Sequence, residues 1–232
     1  IGLFIYLVSF FINYSQTYMI IGVFIVGVAA WGFSQNPEQP GLALQRKRMI
    51  LRKNYWLFYF LTFMAGARRQ IFMAFAVFLL VKRFEYSVQE VTILFVVNNI
   101  IRYYLSPMIG KSIVRFGERG VLSLEYASLV IIFLAYAFTD SRVLAAFLYI
   151  LDHIFFSFAM AIKTYFQKVA DPRDIAPSMA VGFTINHIAA VVLPALGGFL
   201  WMLDYRIPFI AGACMSAVSL GAVQLIKIGK SP

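Results

Sequence analysis

Long apolar runs, separated by short polar stretches, fill most of this chain. A membrane-spanning helix needs about 20 mostly apolar residues, so the pattern predicts a series of spanning helices. The runs lie at 1–12, 17–33, 55–81, 88–109, 121–139, 143–163, 176–203 and 206–228. The first run is too short for a complete span. Because most connections are short, we expect neighbouring helices to be antiparallel.

Several predicted helices carry residues that begin or bend helices. Ser87 and Glu90 have the spacing of a capping box, in which the two side chains bond to each other's backbone N–H groups. Asp171–Pro172 and Asp204 stand where helices are expected to begin. Pro194 predicts a kink inside 176–203, because proline removes a helical hydrogen bond.

The composition supports a membrane protein and excludes an ordinary soluble domain. The 232 residues are 62% hydrophobic and 13% charged, with a mean hydropathy of +0.81, whereas soluble domains are about 45–50% apolar and about 25% charged. The fold class expected is therefore an all-α membrane protein. No basic segment precedes the first run, so it does not resemble a secretory signal. We expect it to be the end of a helix cut through, in a piece of a longer protein.

The chain divides on composition into three parts. Residues 1–33 are expected to end one transmembrane bundle, 34–54 to form a polar, basic linker, and 55–232 to form a six-helix bundle. Alternating the loops puts 13 of the 20 Lys and Arg residues on one side and 4 on the other. The positive-inside rule then places the linker and the C-terminus in the cytoplasm, in a plasma (inner) membrane. This topology explains the net charge of +10 better than nucleic-acid binding does.

Three stretches together resemble a known family. Gly110, Arg115, Gly117 and Arg119 follow a cytoplasmic loop pattern, G-x-x-x-D-R-x-G-R-R, although Val114 and Glu118 depart from it. Pro194, Gly197 and Gly198 follow a P-x-x-G-G pattern, and a long basic linker precedes both. In this order they resemble the major facilitator superfamily. The resemblance implies the end of helix five, helix six, the central linker and helices seven to twelve, with an N-terminal half as partner.

Four predicted spans carry a polar pair near the middle, which is costly in a bilayer. An arginine at the bilayer centre costs about 2.5–3.5 kcal/mol, and such residues usually serve a substrate or ion path. The pairs are Arg68–Arg69, Asn98–Asn99, Asp152–His153 and Asn186–His187. The spans 121–139 and 206–228 have no central charge and are expected to pack outside. We expect Glu125, near a cytoplasmic end, to pair with Arg102 or a basic loop residue.

The polar residues predict a substrate cavity with a proton site. The expected substrate-binding residues are Arg68, Arg69, Asn98, Asn99, Arg102, Asn186 and His187. Asp152 and His153 are expected to couple protons, since histidine titrates near neutral pH. Adjacent helical residues point about 100° apart, so only one of Arg68 and Arg69 is expected to face the cavity. The alternatives are an Asp152–arginine pair that is structural, and amides and histidines that only bond between helices.

These features favour a secondary transporter that works by alternating access. A small solute, with an organic anion as the expectation, would move with protons or by exchange. The alternatives are an efflux antiporter for drugs or metabolites and a non-transporting scaffold or sensor. No nucleophile or metal-ligand constellation suggests an enzyme, a metal site or a cofactor. The expected partners are the substrate, protons and the lipid bilayer.

Overall fold

The computed structural model describes residues 14–35 and 48–227, and every regular element in those two ranges is a helix. The α-helices are α1 (Tyr14–Ser34), α2 (Trp56–Ile71), α3 (Val77–Lys82), α4 (Val88–Phe138), α5 (Arg142–Phe156), α6 (Met160–Val169), α7 (Ile175–Leu203) and α8 (Arg206–Val223). A π-helix, Phe72–Ala76, joins α2 to α3. Short 3₁₀ turns lie at Lys53–Tyr55, Ser157–Ala159 and Pro172–Asp174.

Five continuous helical stretches are long and apolar enough to cross a membrane. They are Lys53–Lys82, Val88–Phe138, Arg142–Val169, Pro172–Leu203 and Arg206–Val223. The prediction of an all-α integral membrane protein is therefore confirmed at this level. Residues 14–35 form one unit, which consists of α1, and residues 48–227 form another. The predicted run at 1–12, linker residues 36–47 and the last residues from 228 onward lie outside the described residues.

The 51-residue helix α4 consists of two antiparallel halves. A straight helix of that length would be about 77 Å long, yet Glu90 near its start forms an ion pair of 2.6 Å with Arg142, just beyond its end. The chain turns at Gly117, whose φ of 73° and ψ of 162° are not helical. A positive φ costs glycine little because it has no Cβ atom. The prediction of a loop over 110–119 was therefore wrong, because the chain is helical on both sides of Gly117.

Polar contacts define two ends of the bundle. At the linker-side end, Arg52 Nε lies 2.5 Å from Asp174 Oδ2, and this hydrogen-bonded pair raises the pKa of the Arg52 guanidinium. Lys168 also contacts Glu118 there, at 2.6 Å. At the far end, Arg83 pairs with Asp140. The six segments, with α4 counted as two, therefore alternate in direction between the two ends.

Local sequence explains where several helices begin. The Ser87 side chain accepts a bond from the Glu90 N–H and the Glu90 carboxylate accepts one from the Ser87 N–H, which confirms the predicted capping box. Asp171 accepts a bond from the Arg173 N–H at the start of the Pro172 turn, as expected for a helix start. Helix α7 continues through Pro194.

A buried polar layer separates two apolar cores. The far core includes Ile71, Leu129, Tyr149 and Ala213, and the linker-side core includes Leu61, Leu122, Ala161 and Val223. Between them along the same four segments lie the side chains that we call the buried polar layer: Arg68, Glu125, Asp152, Ser216 and Ser219. Hydrophobic burial on both sides therefore holds these groups away from either end of the bundle.

Candidate functional site

A cavity of about 1020 Å³ lies beside the buried polar layer. Its walls come from α2, the first half of α4, α5 with α6, and α7. Within α5 and α6 the lining residues His153, Ser157, Met160 and Lys163 recur every three or four positions, which is the spacing of one helical face. Four segments thus turn one face each toward a shared volume.

Basic side chains from separate segments line this cavity. Arg69 comes from α2, Arg102 from the first half of α4, and Lys163 from α6. His153 on α5 lies in electrostatic range of both Arg69 and Arg102, so these groups are close to one another. No acidic side chain among the described residues lines the cavity. Its local charge is therefore positive.

Aromatic rings form much of the remaining cavity wall. Phe72 packs edge-on against the His153 ring, with 5.1 Å between ring centroids, and Phe95 packs against Tyr149 at 5.9 Å. All four of these residues line the cavity. Such walls accept an apolar body, while the few polar groups among them can fix its orientation.

Two polar atoms at the cavity have no hydrogen-bond partner among the described residues. They are His153 Nδ1 and Asn186 Oδ1, and both are buried. Asn186 sits where α7 approaches α2 most closely, because a Cβ atom on Gly66 would lie 1.9 Å from its Oδ1. Buried polar atoms are nearly always bonded in folded proteins, so the hydrogen-bonding capacity of these two is unused in the cavity wall.

The buried polar layer is built around Arg68, which is fully buried. Its Nη1 donates a hydrogen bond of 2.6 Å to Ser219 Oγ on α8, and its Nη2 lies 4.0 Å from Glu125 Oε1 on the second half of α4. The guanidinium also stands over the Tyr126 ring, 4.3 Å from its centroid. Three kinds of contact therefore replace the water that this cation has lost.

Asp152 on α5 completes the charges of this layer. Its side chain is fully buried and lies in electrostatic range of both Arg68 and Glu125. No described residue donates a hydrogen bond to either of its carboxylate oxygens. The layer thus holds two carboxyl groups and one guanidinium away from solvent.

The structure divides the predicted site residues into three groups. Arg69, Arg102, His153 and Asn186 line the cavity. Arg68 and Asp152 belong to the buried polar layer instead, and Asn98 is buried with no hydrogen-bond partner among the described residues. The other two are exposed and bond within their own helices, Asn99 to the Phe95 carbonyl and His187 to the Phe183 carbonyl.

One expectation about the outer helices was wrong. Glu125 is fully buried and pairs with Arg68, not with Arg102 or a loop residue. None of the described residues of the spans 121–139 and 206–228 lines the cavity, as expected of helices that pack outside it, but both spans contribute to the buried polar layer. Lys163 was missed as a cavity residue, because it stands at the expected end of the span 143–163, whereas its helix continues to Val169.

The backbone departs from α-helical geometry one turn after each of the two charged pairs, Arg68–Arg69 and Asp152–His153. The π-helix Phe72–Ala76 follows Arg68 and Arg69, and the 3₁₀ turn Ser157–Ala159 follows Asp152 and His153. Segments of π-helix are rare and are frequent at functional sites, and 3₁₀ turns inside helices often mark hinges. Both charged segments therefore lie next to a break in the regular α-helical hydrogen-bond pattern.

The residues of the two sequence patterns lie outside both sites. Gly117 makes the turn of α4, and Arg119 beyond it donates to the Gln224 side chain at 2.8 and 3.0 Å. Arg115 is exposed and Gly110 is helical. On α7, Gly197 packs so tightly that a Cβ atom would lie 2.4 Å from the Phe75 ring, whereas nothing lies within 4 Å at Gly198.

The chain matches no family model, no curated protein and no solved structure. Its function must therefore be inferred from its own residues.

Proposed function

We propose that the protein is a secondary active transporter of the major facilitator type, and that its cavity binds a small organic anion. The observation that carries this is the charge of the cavity. Arg69, Arg102 and Lys163 line it, and no acidic side chain among the described residues does. Several cations gathered in one cavity attract a carboxylate, sulfate or phosphate group, and arginine binds such a group with two parallel hydrogen bonds.

The other properties of the cavity fit a ligand with an apolar part. Its volume of about 1020 Å³ is at the upper end of the usual range for small-molecule sites. Aromatic walls such as Phe72 and Phe95 would cover a ring or chain, while Asn186 and His153 bring polar side chains with unused hydrogen-bonding capacity to the cavity wall. An aromatic or branched-chain carboxylate therefore combines the features that these walls recognise.

The architecture supports alternating access between two sides of a membrane. Four of the six antiparallel segments surround the site, and the non-α-helical turns after Arg69 and His153 would allow parts of α2 and α5 to move. The linker-side end carries most of the Lys and Arg residues, so we place it in the cytoplasm of a plasma (inner) membrane. Transport would be driven by a proton gradient or by exchange.

A second candidate is efflux of an aromatic metabolite or drug without a negative charge. The aromatic walls favour it, but the arginines do not. The two candidates differ in what they expect of Arg69 and Arg102, and a substitution experiment separates them.

The test is uptake into proteoliposomes that contain the full chain. Radiolabelled aromatic and aliphatic carboxylates, sulfate esters and phosphate esters would be compared with their neutral amide analogues. We expect uptake of one or more anions, and about a tenfold loss of affinity in each of Arg69→Gln and Arg102→Gln, the lower end of what charge-assisted hydrogen bonds contribute. Arg173→Gln is the matched control, because Arg173 is exposed and lies outside the cavity. Equal uptake by all three variants would contradict the proposal, and uptake of neutral analogues alone would support efflux.

A further inference from the structure

Some buried carboxyl groups in this chain have a cation of their own, whereas two share one. Four acidic side chains are buried among the described residues: Glu118, Glu125, Asp152 and Asp174. The first has Lys168 as its own partner at 2.6 Å, and the last has Arg52 at 2.5 Å. The remaining two, Glu125 and Asp152, have only Arg68 between them.

Within residues 14–35 and 48–227, no second cation partners this pair. The neutral polar groups near the pair are Ser216 and Ser219 of the layer and three tyrosines of the adjoining cores, Tyr126, Tyr136 and Tyr149. The neighbouring basic groups, Arg69, Arg102 and His153, belong to the cavity. No described residue donates a hydrogen bond to any of the four carboxylate oxygens.

We propose that Glu125 and Asp152 form a proton-binding site that holds one proton between them beside Arg68. If both carboxyls were ionised, the layer would carry a net negative charge with neither water nor hydrogen bonds to stabilise it, which is strongly unfavourable. One added proton makes the layer neutral. Two carboxyl groups that influence each other's charge and share one cation titrate as a pair, so the proton belongs to both of them.

The chemical step is simple. A proton from the aqueous phase forms an O–H bond with one carboxylate oxygen of the pair, and the reverse reaction returns it to water. No electron moves and no other bond breaks. The remaining carboxylate keeps its ion pair with Arg68.

The site is physically connected to the cavity by neighbouring residues on two helices. On α2, Arg68 faces the proton site and Arg69 faces the cavity. On α5, Asp152 faces the proton site and His153 faces the cavity. Any rotation of either helix that brings an anion and Arg69 together also moves Arg68 or Asp152. Coupling of the proton to anion transport rests on the proposed function, but the existence of the proton site does not.

Infrared spectroscopy of the purified full chain at neutral pH tests the proton site without any transport. A protonated carboxyl gives a C=O stretching band that shifts in D₂O. We expect such a band in the unsubstituted protein and its loss in both Glu125→Gln and Asp152→Asn, because the carboxyl left behind then has Arg68 to itself. Arg68→Gln should strengthen the band, since two carboxyls then need protons. Glu118→Gln should leave it unchanged, because Glu118 has its own cation.

The outcomes decide the proposal clearly. Absence of the band in the unsubstituted protein, as a bound metal cation or two ionised carboxyls would cause, overturns it. A band that survives either single substitution also overturns it, since the proton would then not be shared. Either single variant is sufficient, so the test remains valid if the other does not fold.

Proteoliposomes test the use of this proton in transport. We expect Asp152→Asn to continue anion exchange but to lose acceleration of uptake by an inward proton gradient. An unchanged response to the gradient overturns the coupling. Absence of anion exchange in the unsubstituted protein would instead count against the proposed function, and the infrared result would be unaffected by it.

Discussion

The cavity and the buried polar layer are neighbours with opposite characters. The cavity gathers Arg69, Arg102 and Lys163 and has no acidic side chain among its described lining residues. The buried polar layer has Arg68 with two carboxyl groups, sealed between two apolar cores. A cavity that binds a charged ligand can leave its cations without ion-pair partners, because the ligand supplies them. A buried layer without a ligand must balance its charges with its own side chains.

The same two helices serve both regions. Adjacent residues on a helix point about 100° apart, so Arg68–Arg69 and Asp152–His153 each divide between the buried polar layer and the cavity. The two consecutive polar residues in each of these helices therefore have different roles. One residue can complete the interior while the next faces the ligand.

The largest expected effect separates the two adjacent arginines by stability. Arg68→Gln removes the cation from a buried cluster, and breaking such a pair costs about 3–5 kcal/mol. We expect the lower end of that range, because proton uptake by the carboxyls can offset part of the loss. Arg69→Gln should change the free energy of unfolding by about 0.5 kcal/mol or less, as at ordinary surface positions. Reversible denaturant unfolding in detergent micelles measures both.

Equal losses of stability in the two variants would contradict this division of roles. It would mean that Arg69 is also part of the packed interior. A large loss of stability in Arg69→Gln alone would reverse the assignment of the two sites.

The comparison of Arg68 with Arg69 also shows what the sequence could predict. The polar pairs in four apolar spans correctly predicted a polar interior, and the helical angle predicted that one arginine would face the cavity. The sequence could not tell which of the two arginines faces the cavity, because the rotation of α2 is set by packing against α7 and α8. Gly66, which admits Asn186 at close range, contributes to that rotation.

The errors have one physical cause, which is misplaced helix ends. Glu125 was expected near a membrane surface because a loop was assigned to 110–119. The turn needs only Gly117, so Glu125 lies eight residues, or about 12 Å, inside the helix. Lys163 was missed because its helix was expected to end there, whereas it continues to Val169. Depth estimates from hydropathy depend directly on such boundaries.

A smaller effect is expected where the cavity wall is held by close helix packing. In Gly66→Ala, the new methyl group would meet Asn186 Oδ1, at 1.9 Å, and Cγ, at 2.9 Å. Either α2 and α7 move apart or the Asn186 side chain leaves its position, and overpacking of this kind costs about 1–3 kcal/mol. We expect a lower unfolding midpoint together with weaker anion binding.

Gly198→Ala is the matched control for that substitution. No heavy atom lies within 4 Å of its Cβ position, so alanine should be neutral or should stabilise α7 by up to about 1 kcal/mol. If Gly66→Ala were as well tolerated as Gly198→Ala, the contact between α2 and α7 would not be needed to shape the cavity.

The smallest expected effect concerns the lysine of the cavity. Lys163 is exposed, as Arg69 and Arg102 are, but an ammonium group is a point charge without the paired hydrogen bonds of a guanidinium, and exposed charges of this kind contribute little individually. Lys163→Met should therefore weaken anion binding by only about two- to fivefold, with a steeper loss at low salt, because salt screens exposed charges. Lys111→Met is the control, since Lys111 is also exposed but does not line the cavity. If Lys163→Met weakened binding as strongly as Arg69→Gln, the anion would bind nearer the linker-side end than His153 and Arg69 indicate. If neither lysine variant changed the affinity at any salt concentration, the attraction for anions would reside in the two arginines alone.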